Sequence, residues 1–171
     1  MKNLLPVTII VIVLLLVLAA MWWGWRARRR RDVHASAYPL PQAVQSPLAG
    51  VAAFYVATTR HELPLERLAI RGLDYRAKAR LAVGADGVRL DIPGSDPLWI
   101  PVTALRGAGQ ATYAIDRVVE QGGLLCLTWQ PLGSEHPADS YLRVPDEPER
   151  LRVLEALRRI LPASASTESE A

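Results

Sequence analysis

The chain has almost no cysteine, since Cys126 is the only one among its 171 residues. A single thiol excludes an internal disulfide and any metal site built from several thiolates. The three histidines, His34, His61 and His136, also lack a second ligand at a metal-binding spacing such as H-x-x-x-H. We therefore expect no metal and no cofactor, and we expect Cys126, within the apolar segment Leu124–Trp129, to be a buried thiol.

Acidic residues are absent from the first 31 positions, which contain Lys2 and five arginines. The whole chain has 20 lysines and arginines against 17 acidic residues, so the remaining 140 positions carry 14 basic and 17 acidic side chains, a net charge of −3. A net negative body argues against nucleic-acid binding, which depends on neutralising phosphates. The positive charge of the chain belongs to its N-terminal segment.

A long uncharged apolar run, residues 4–25, precedes all five of those arginines. As a helix it spans about 33 Å, enough to cross a hydrocarbon core of about 30 Å. We therefore predict one membrane-spanning helix. Tryptophans and arginines favour the membrane–water boundary, and the side chains predicted to contact the membrane surface are Trp22, Trp23, Trp25, Arg26, Arg28, Arg29, Arg30 and Arg31.

The arginine cluster also predicts the orientation of that helix. Cytoplasmic flanks of membrane helices carry an excess of lysine and arginine. We therefore expect the N-terminus outside the cell and the rest of the chain at the cytoplasmic face of the plasma membrane. A cleaved secretory signal has its basic residues before a shorter apolar run, so we expect an uncleaved signal-anchor.

Composition divides the chain into four parts. Residues 1–31 form the anchor with its arginines, residues 32–49 are a flexible tether, and residues 163–171 are a small, polar, disordered tail. Between the tether and the tail, residues 50–162 are numerous enough for one domain with its own core.

Most of that domain has the pattern of short strands. Apolar or alternating runs occur at Val51–Thr58, Ala77–Val83, Val88–Ile92, Leu98–Val102, Ala111–Val119, Gly123–Trp129 and Tyr141–Val144. The dipeptide Asp86-Gly87 predicts a tight hairpin turn with a positive φ. Residues Pro64–Ile70 suggest a short helix, and Gly107-Ala108-Gly109 a bend or bulge between strands.

The end of the domain changes to helical spacing. Its apolar positions are Leu151, Leu154, Leu157, Ile160 and Leu161. Asp146 and Glu149 resemble a capping box before this stripe, and Pro162 ends it. The sequence thus predicts a mainly β fold, a bent sheet or barrel of six or seven strands capped by one amphipathic C-terminal helix and preceded by one transmembrane helix.

Six fragments of the domain are distinctive: YVATT (55–59), RGLDYRAKARL (71–81), GVRLDIPG (87–94), LWIP (98–101), YAIDRVVEQGGLLCLTW (113–129) and DSYLRV (139–144). In these fragments the chain resembles a family of bacterial single-pass membrane proteins with a cytoplasmic PH-like domain. The resemblance implies a pleckstrin-homology-like fold and this topology but no activity. Members are sometimes labelled transporters, yet one spanning helix cannot by itself enclose a pathway for a solute.

Basic residues alternate along one predicted strand. Arg76, Lys78 and Arg80 would emerge on a single face. Because phosphoinositide-binding PH domains hold headgroup phosphates with similarly spaced basic residues, these three are candidates for binding anionic headgroups. The alternative is a solvated outer face of a half-buried strand. Arg89 would join them across the hairpin in one register and not in the other.

A second candidate surface is the short strand between Pro97 and Pro101. Proline cannot donate to a strand ladder, so this strand suits a sheet edge. Leu98, Trp99 and Ile100 are therefore candidates for a partner edge that accepts an extended peptide. The alternative is an edge covered by the tether, with Trp99 as a core residue.

Catalytic patterns are weak. Ser140, His136 and Asp139 lie close in sequence, but no nucleophile-elbow motif surrounds the serine. We expect no enzymatic activity. The first hypothesis is an adaptor that recruits a protein partner at the inner membrane face. Alternatives are a reader of anionic lipid headgroups and an accessory subunit of a transporter or envelope complex.

Overall fold

The computed structural model describes residues 4–32, 35–41, 47–68, 70–73, 75–114, 117–118 and 122–161. The predicted tail, 163–171, and the side chains of Trp25, Arg28, Arg29, Arg30 and Arg31 lie outside this description. The helices are α1 (Leu4–Asp32) and α2 (Glu147–Ile160). The strands are β1 (Ala49–Arg60), β2 (Leu63–Arg67), β3 (Ala77–Gly84), β4 (Gly87–Asp91), β5 (Leu98–Pro101), β6 (Leu105–Ala111), β7 (Tyr113–Ala114), β8 (Arg117–Val118), β9 (Leu124–Trp129) and β10 (Ala138–Arg143).

Helix α1 contains one stretch, Val7–Gly24, that is long and apolar enough to cross a membrane. None of that stretch is buried inside the protein. At its C-terminal end the Arg26 guanidinium carbon lies 5.5 Å from the centre of the Trp22 ring, a cation–π distance. The apolar helix predicted from the sequence is present.

Eight strands form one antiparallel sheet in the order β5-β4-β3-β1-β10-β9-β6, with β2 also paired to β1, while β7 and β8 form a separate hairpin. One face of the sheet packs under α2, which contacts β1, β3 and β6. The core on this face includes Tyr55, Leu81, Trp129, Leu142 and Leu157, all completely buried. The mainly β fold with one capping helix is confirmed, in an open sheet with more strands than the sequence predicts.

Helix α2 begins as its sequence indicates. The Asp146 carboxylate accepts a hydrogen bond from the backbone N–H of Glu149 at 3.1 Å, which satisfies one of the free donors of the first turn. Buried Val153, Leu154 and Leu157 face the sheet. The helix therefore covers one face of the sheet, although Leu151 of the predicted stripe is 49% exposed.

Two local predictions are wrong. Pro64–Ile70 is not a helix, because Leu63–Arg67 pairs with β1 instead and Leu68 donates its N–H to the Thr58 carbonyl at 2.9 Å. Gly107-Ala108-Gly109 does not separate two strands, because it lies inside β6 and pairs with β9, just after a register shift between Leu105 and Gly107. In both places pairing with a neighbouring strand overrides the local pattern.

The β3–β4 hairpin is present, and Gly87 has the positive φ that the sequence predicts, at 156°. Its surroundings also require glycine. A Cβ at this position would overlap the carbonyl oxygen of Ile100 and lie 2.8 Å from the Cα of Pro101. Glycine is needed here because β5 passes directly against the backbone.

A chain of buried hydrogen bonds crosses the core. It joins Trp129 Nε1 to Ser140 Oγ (2.9 Å), Ser140 to Thr58 Oγ1 (2.8 Å), Thr58 to the Tyr55 hydroxyl (3.0 Å), and Tyr55 to the Leu73 carbonyl (3.0 Å). An indole can only donate and a carbonyl can only accept, so the ends fix the direction. Each of the three hydroxyls accepts one bond and donates the next.

Cys126 is largely enclosed on the other face of the sheet. Burial, with a smaller contribution from the negative charge of Asp139, raises the pKa of its thiol from 9.0 to about 12. The thiolate is the reactive form of cysteine. The thiol therefore stays protonated and chemically inert at physiological pH.

We predict that Gly87→Ala destabilises the fold by about 1 to 3 kcal/mol, the usual cost of forcing extra atoms into a packed site. Thermal unfolding of the full-length chain in detergent measures this. Gly50→Ala is the matched control, because the nearest atom to its Cβ would be the Leu81 carbonyl oxygen at an ordinary 3.8 Å. Equal melting temperatures for the two variants would contradict the steric argument.

We also predict that Cys126 resists iodoacetamide at pH 8 in the folded chain and reacts after unfolding in guanidinium. A pKa of about 12 instead of 9.0 leaves about a thousandfold less thiolate, before any steric protection. Mass spectrometry of the alkylated chain measures the rate. The control is Ala85→Cys in a Cys126→Ser background, which places the thiol on an exposed turn. Similar rates at positions 126 and 85 would refute the prediction.

Candidate binding surfaces

The predicted basic residues lie on the sheet face opposite α2. Arg76, Lys78 and Arg80 are all exposed, while Ala79 and Leu81 between and after them point into the core. We call Lys78 and Arg80, with Arg76 just before the strand, the basic face. Period-two alternation along β3 thus produces the arrangement that the sequence suggests.

Neighbouring strands extend the basic face in both directions. Phe54 lies between Lys78 and Arg143 in the strand register, so two cations flank an aromatic ring position. Phe54 is 39% exposed. On the other side of β3, Arg80 lies opposite Asp91. The face therefore offers positive charge and an accessible aromatic ring together.

The register also settles the position of Arg89. It lies opposite Ala82, on the same side of the sheet as Arg80. Its Nε donates to the Asp91 carboxylate at 2.8 Å, so much of its charge is compensated locally. Beside this pair, an open groove of about 450 Å³ runs between Lys78, Arg80 and the loop residues Ile92–Ser95. Asp91 also lines this groove, so positive and negative side chains meet along it.

The candidate partner edge is at the end of the sheet, as predicted, but it is not open. Leu98, Trp99 and Ile100 are buried, at 5%, 6% and 2% exposure. The Trp99 carbonyl accepts a hydrogen bond from the backbone N–H of Tyr38 at 3.1 Å. Part of the segment assigned to the tether therefore covers this edge.

Residues 35–38, which we call the strap, lie against the domain rather than hanging free. Ser36 exchanges two backbone hydrogen bonds with Leu132, at 3.0 and 2.9 Å, and the Tyr38 hydroxyl donates to the Gln130 carbonyl at 3.2 Å. Ala35 is only 7% exposed and joins the main core. The strap connects the edge strand β5 to the loop after β9, two parts of the sheet that are far apart in sequence.

Large apolar side chains are exposed in β2 and in the segment just before β3, and the sequence prediction did not identify them. Leu63, Leu65 and Tyr75 are 45%, 79% and 83% exposed. We call these three the apolar tip. The alternation of Leu63 and Leu65 with polar neighbours is a strand signal, and it was missed because the same residues also fit a helix. Exposed Arg67 and Arg71 lie in the same stretch of chain.

The serine, histidine and aspartate considered for catalysis do not converge. Ser140 is part of the interior hydrogen-bond chain, and His136 is exposed in a loop. Asp139, on the opposite face, instead lies 3.0 Å from His61 Nδ1 and accepts a hydrogen bond from Thr128 at 2.7 Å. Among the described residues, no group of three or more histidine, cysteine, aspartate or glutamate side chains is arranged to hold a metal.

No curated protein sequence matches the chain. A family model described as bacterial PH domain-like matches residues 34–158, which begins one residue before the strap and ends within α2. That range includes the whole sheet and most of its capping helix, so fold and family agree on the same part of the chain. With most of its length matched, the chain belongs to the bacterial PH domain-like family.

Proposed function

We propose that this chain is a non-enzymatic adaptor, anchored in the plasma membrane by α1, whose PH-like domain recruits a protein partner at the cytoplasmic face. The apolar length of Val7–Gly24 and the arginines that follow it support the anchoring and the orientation. The PH-like fold is a scaffold that presents binding surfaces on a rigid sheet, although fold alone does not define function.

The observation that carries this proposal is the exposure of the apolar tip. Leu65 and Tyr75 expose about four fifths of their surface, at 79% and 83%. Side chains of this kind lose unfavourable contact with water when a partner covers them. Exposed charges of both signs lie nearby in the chain, Glu62 and Glu66 as well as Arg67 and Arg71, so the proposed partner surface combines an apolar hollow with a polar rim of mixed charge.

We predict that a photo-crosslinking residue at position 65 of the full-length chain yields one defined adduct in native membranes. Tyr75→Asp should reduce that adduct several-fold, because a carboxylate opposes burial of the tip. Thermal stability should stay unchanged, because an exposed side chain contributes little to it. Leu151→Asp, at a half-exposed leucine on α2, is the control. An adduct that is absent, or equally weakened by both variants, would contradict recruitment through the tip.

A second candidate function is binding of anionic lipid headgroups through the basic face, which the position of Phe54 beside Lys78 favours. Cations bind the phosphates while an aromatic ring enters the interfacial region of the bilayer. This function needs the domain to reach the membrane that holds α1. It predicts strong dependence on salt, since the attraction is electrostatic.

We predict that nanodiscs containing anionic lipid slow hydrogen exchange in β3 of the full-length chain, relative to neutral nanodiscs. The double variant Lys78→Glu/Arg80→Glu should lose this protection because it reverses the charge of the face. Arg106→Glu/Arg158→Glu changes the net charge equally at exposed sites elsewhere and should retain it. Protection that is identical in neutral nanodiscs, or unaffected by high salt, would exclude headgroup binding at this face.

A further inference from the structure

The strap lies in a slot with two walls. One wall is the edge strand β5, represented by the Trp99 carbonyl, and the other is the loop after β9, represented by Gln130 and Leu132. An extended chain segment already fills this slot. Its contacts therefore show directly which kind of ligand the slot accepts.

Most of the strap's hydrogen bonds come from its main chain. Three backbone hydrogen bonds involve Ser36 and Tyr38, and these do not depend on side-chain identity. Side chains add to them: Ala35 is buried at 7% exposure, Ala37 and Tyr38 pack against the core, and the Tyr38 hydroxyl donates to Gln130. The slot thus accepts an extended peptide with a small residue followed three positions later by a tyrosine.

The attachment of the strap is short. It consists of two isolated bridges, Ser36 to Leu132 and Tyr38 to Trp99, rather than a continuous ladder. Pro97 lies just before β5 and Pro101 is its last residue. Both lack a backbone N–H, so they cannot donate hydrogen bonds to a longer ladder. Removing the strap therefore breaks few hydrogen bonds.

We propose that the strap is an internal ligand, and that an extended segment of a partner protein, with a small residue and a tyrosine at this spacing, binds the slot by displacing it. This inference rests on the proposed adaptor function and names a second contact for the partner, by β-strand addition. The partner edge at Leu98, Trp99 and Ile100 would then become available only after the strap leaves.

Displacement would also change how far the domain can move from the membrane. With the strap docked, only three residue steps separate the end of α1 at Asp32 from Ala35, a maximum of about 11 Å. With the strap released, the next fixed residue is Leu48, whose backbone N–H donates to the Val83 carbonyl at 2.7 Å; it lies 16 steps from Asp32, a maximum of about 58 Å. Binding in the slot and the reach of the domain are therefore linked.

The test uses the full-length chain in nanodiscs of neutral lipid with the double substitution Ser36→Cys/Leu132→Cys. Directly bonded antiparallel residues have Cα atoms about 5.5 Å apart, which a disulfide can bridge. Oxidation locks the strap in the slot and reduction frees it, so the same protein is its own folding control. Both substitutions are made in a Cys126→Ser background, so that the two introduced thiols can pair only with each other.

The probe is a fluorescently labelled peptide with the strap sequence ASAYPL, residues 35–40, measured by fluorescence anisotropy. We expect at least tenfold tighter binding to the reduced chain than to the oxidised chain. A strap-weakened variant, Ala35→Asp/Tyr38→Ala, should bind tighter still, and the peptide with alanine in place of tyrosine should bind at least several-fold more weakly.

Equal binding to the reduced and oxidised forms, or none to the reduced form at millimolar peptide, would overturn the proposal. So would equal binding of the two peptides. If the strap-weakened variant does not fold, the comparison of peptide binding to the reduced and oxidised forms still tests the proposal. Failure here leaves adaptor function through the apolar tip standing, because the crosslink at position 65 tests that surface separately.

Discussion

The fold depends on the buried hydrogen-bond chain from Trp129 through Ser140, Thr58 and Tyr55 to the Leu73 carbonyl. Its polar side chains are all at most 3% exposed, so each must find its partner inside the protein. Loss of one member would leave a neighbour unsatisfied, which typically costs about 1 to 3 kcal/mol. These hydrogen bonds connect β9, β10, β1 and the segment before β3, and that segment leads into the basic face.

Side-chain periodicity explains which parts of the fold were predictable. The stripe of Leu154 and Leu157 with the Asp146 cap predicts α2, and the alternation of Lys78 and Arg80 predicts one exposed face of β3. Pairing register has no such signature, so the positions of Arg89 and Phe54 relative to that face appear only in the structure. The sequence raised the strap only as an alternative, an edge covered by the tether, because three of its four hydrogen bonds are made by backbone groups, which every residue carries.

The apolar tip illustrates a different limit of prediction from the sequence. In Leu63–Arg67 the apolar residues fit both a helix and a strand, and only the pairing with β1 decides between them. Once the segment is a strand, its leucines have no sheet neighbour to cover them, and they remain exposed. The same few residues thus determine both the error in secondary structure and the missed surface.

The net charge of the body also hides its local distribution, because the basic face is positive although residues 32–171 are negative overall.

The bulge at Val56 in β1 has a consequence for how the sequence can vary. Tyr55 pairs with Leu142 and Ala57 with Tyr141, so Val56 is the one extra residue on its strand. Without this residue, Tyr55 opposite Leu142 and Ala57 opposite Tyr141 would follow each other in an unbroken ladder, and Thr58 would still face Ser140 in the core. A deletion anywhere else in β1 would exchange the inward and outward sides of the residues after it, because strand side chains alternate. We therefore expect relatives to differ in the length of β1 only at this bulge.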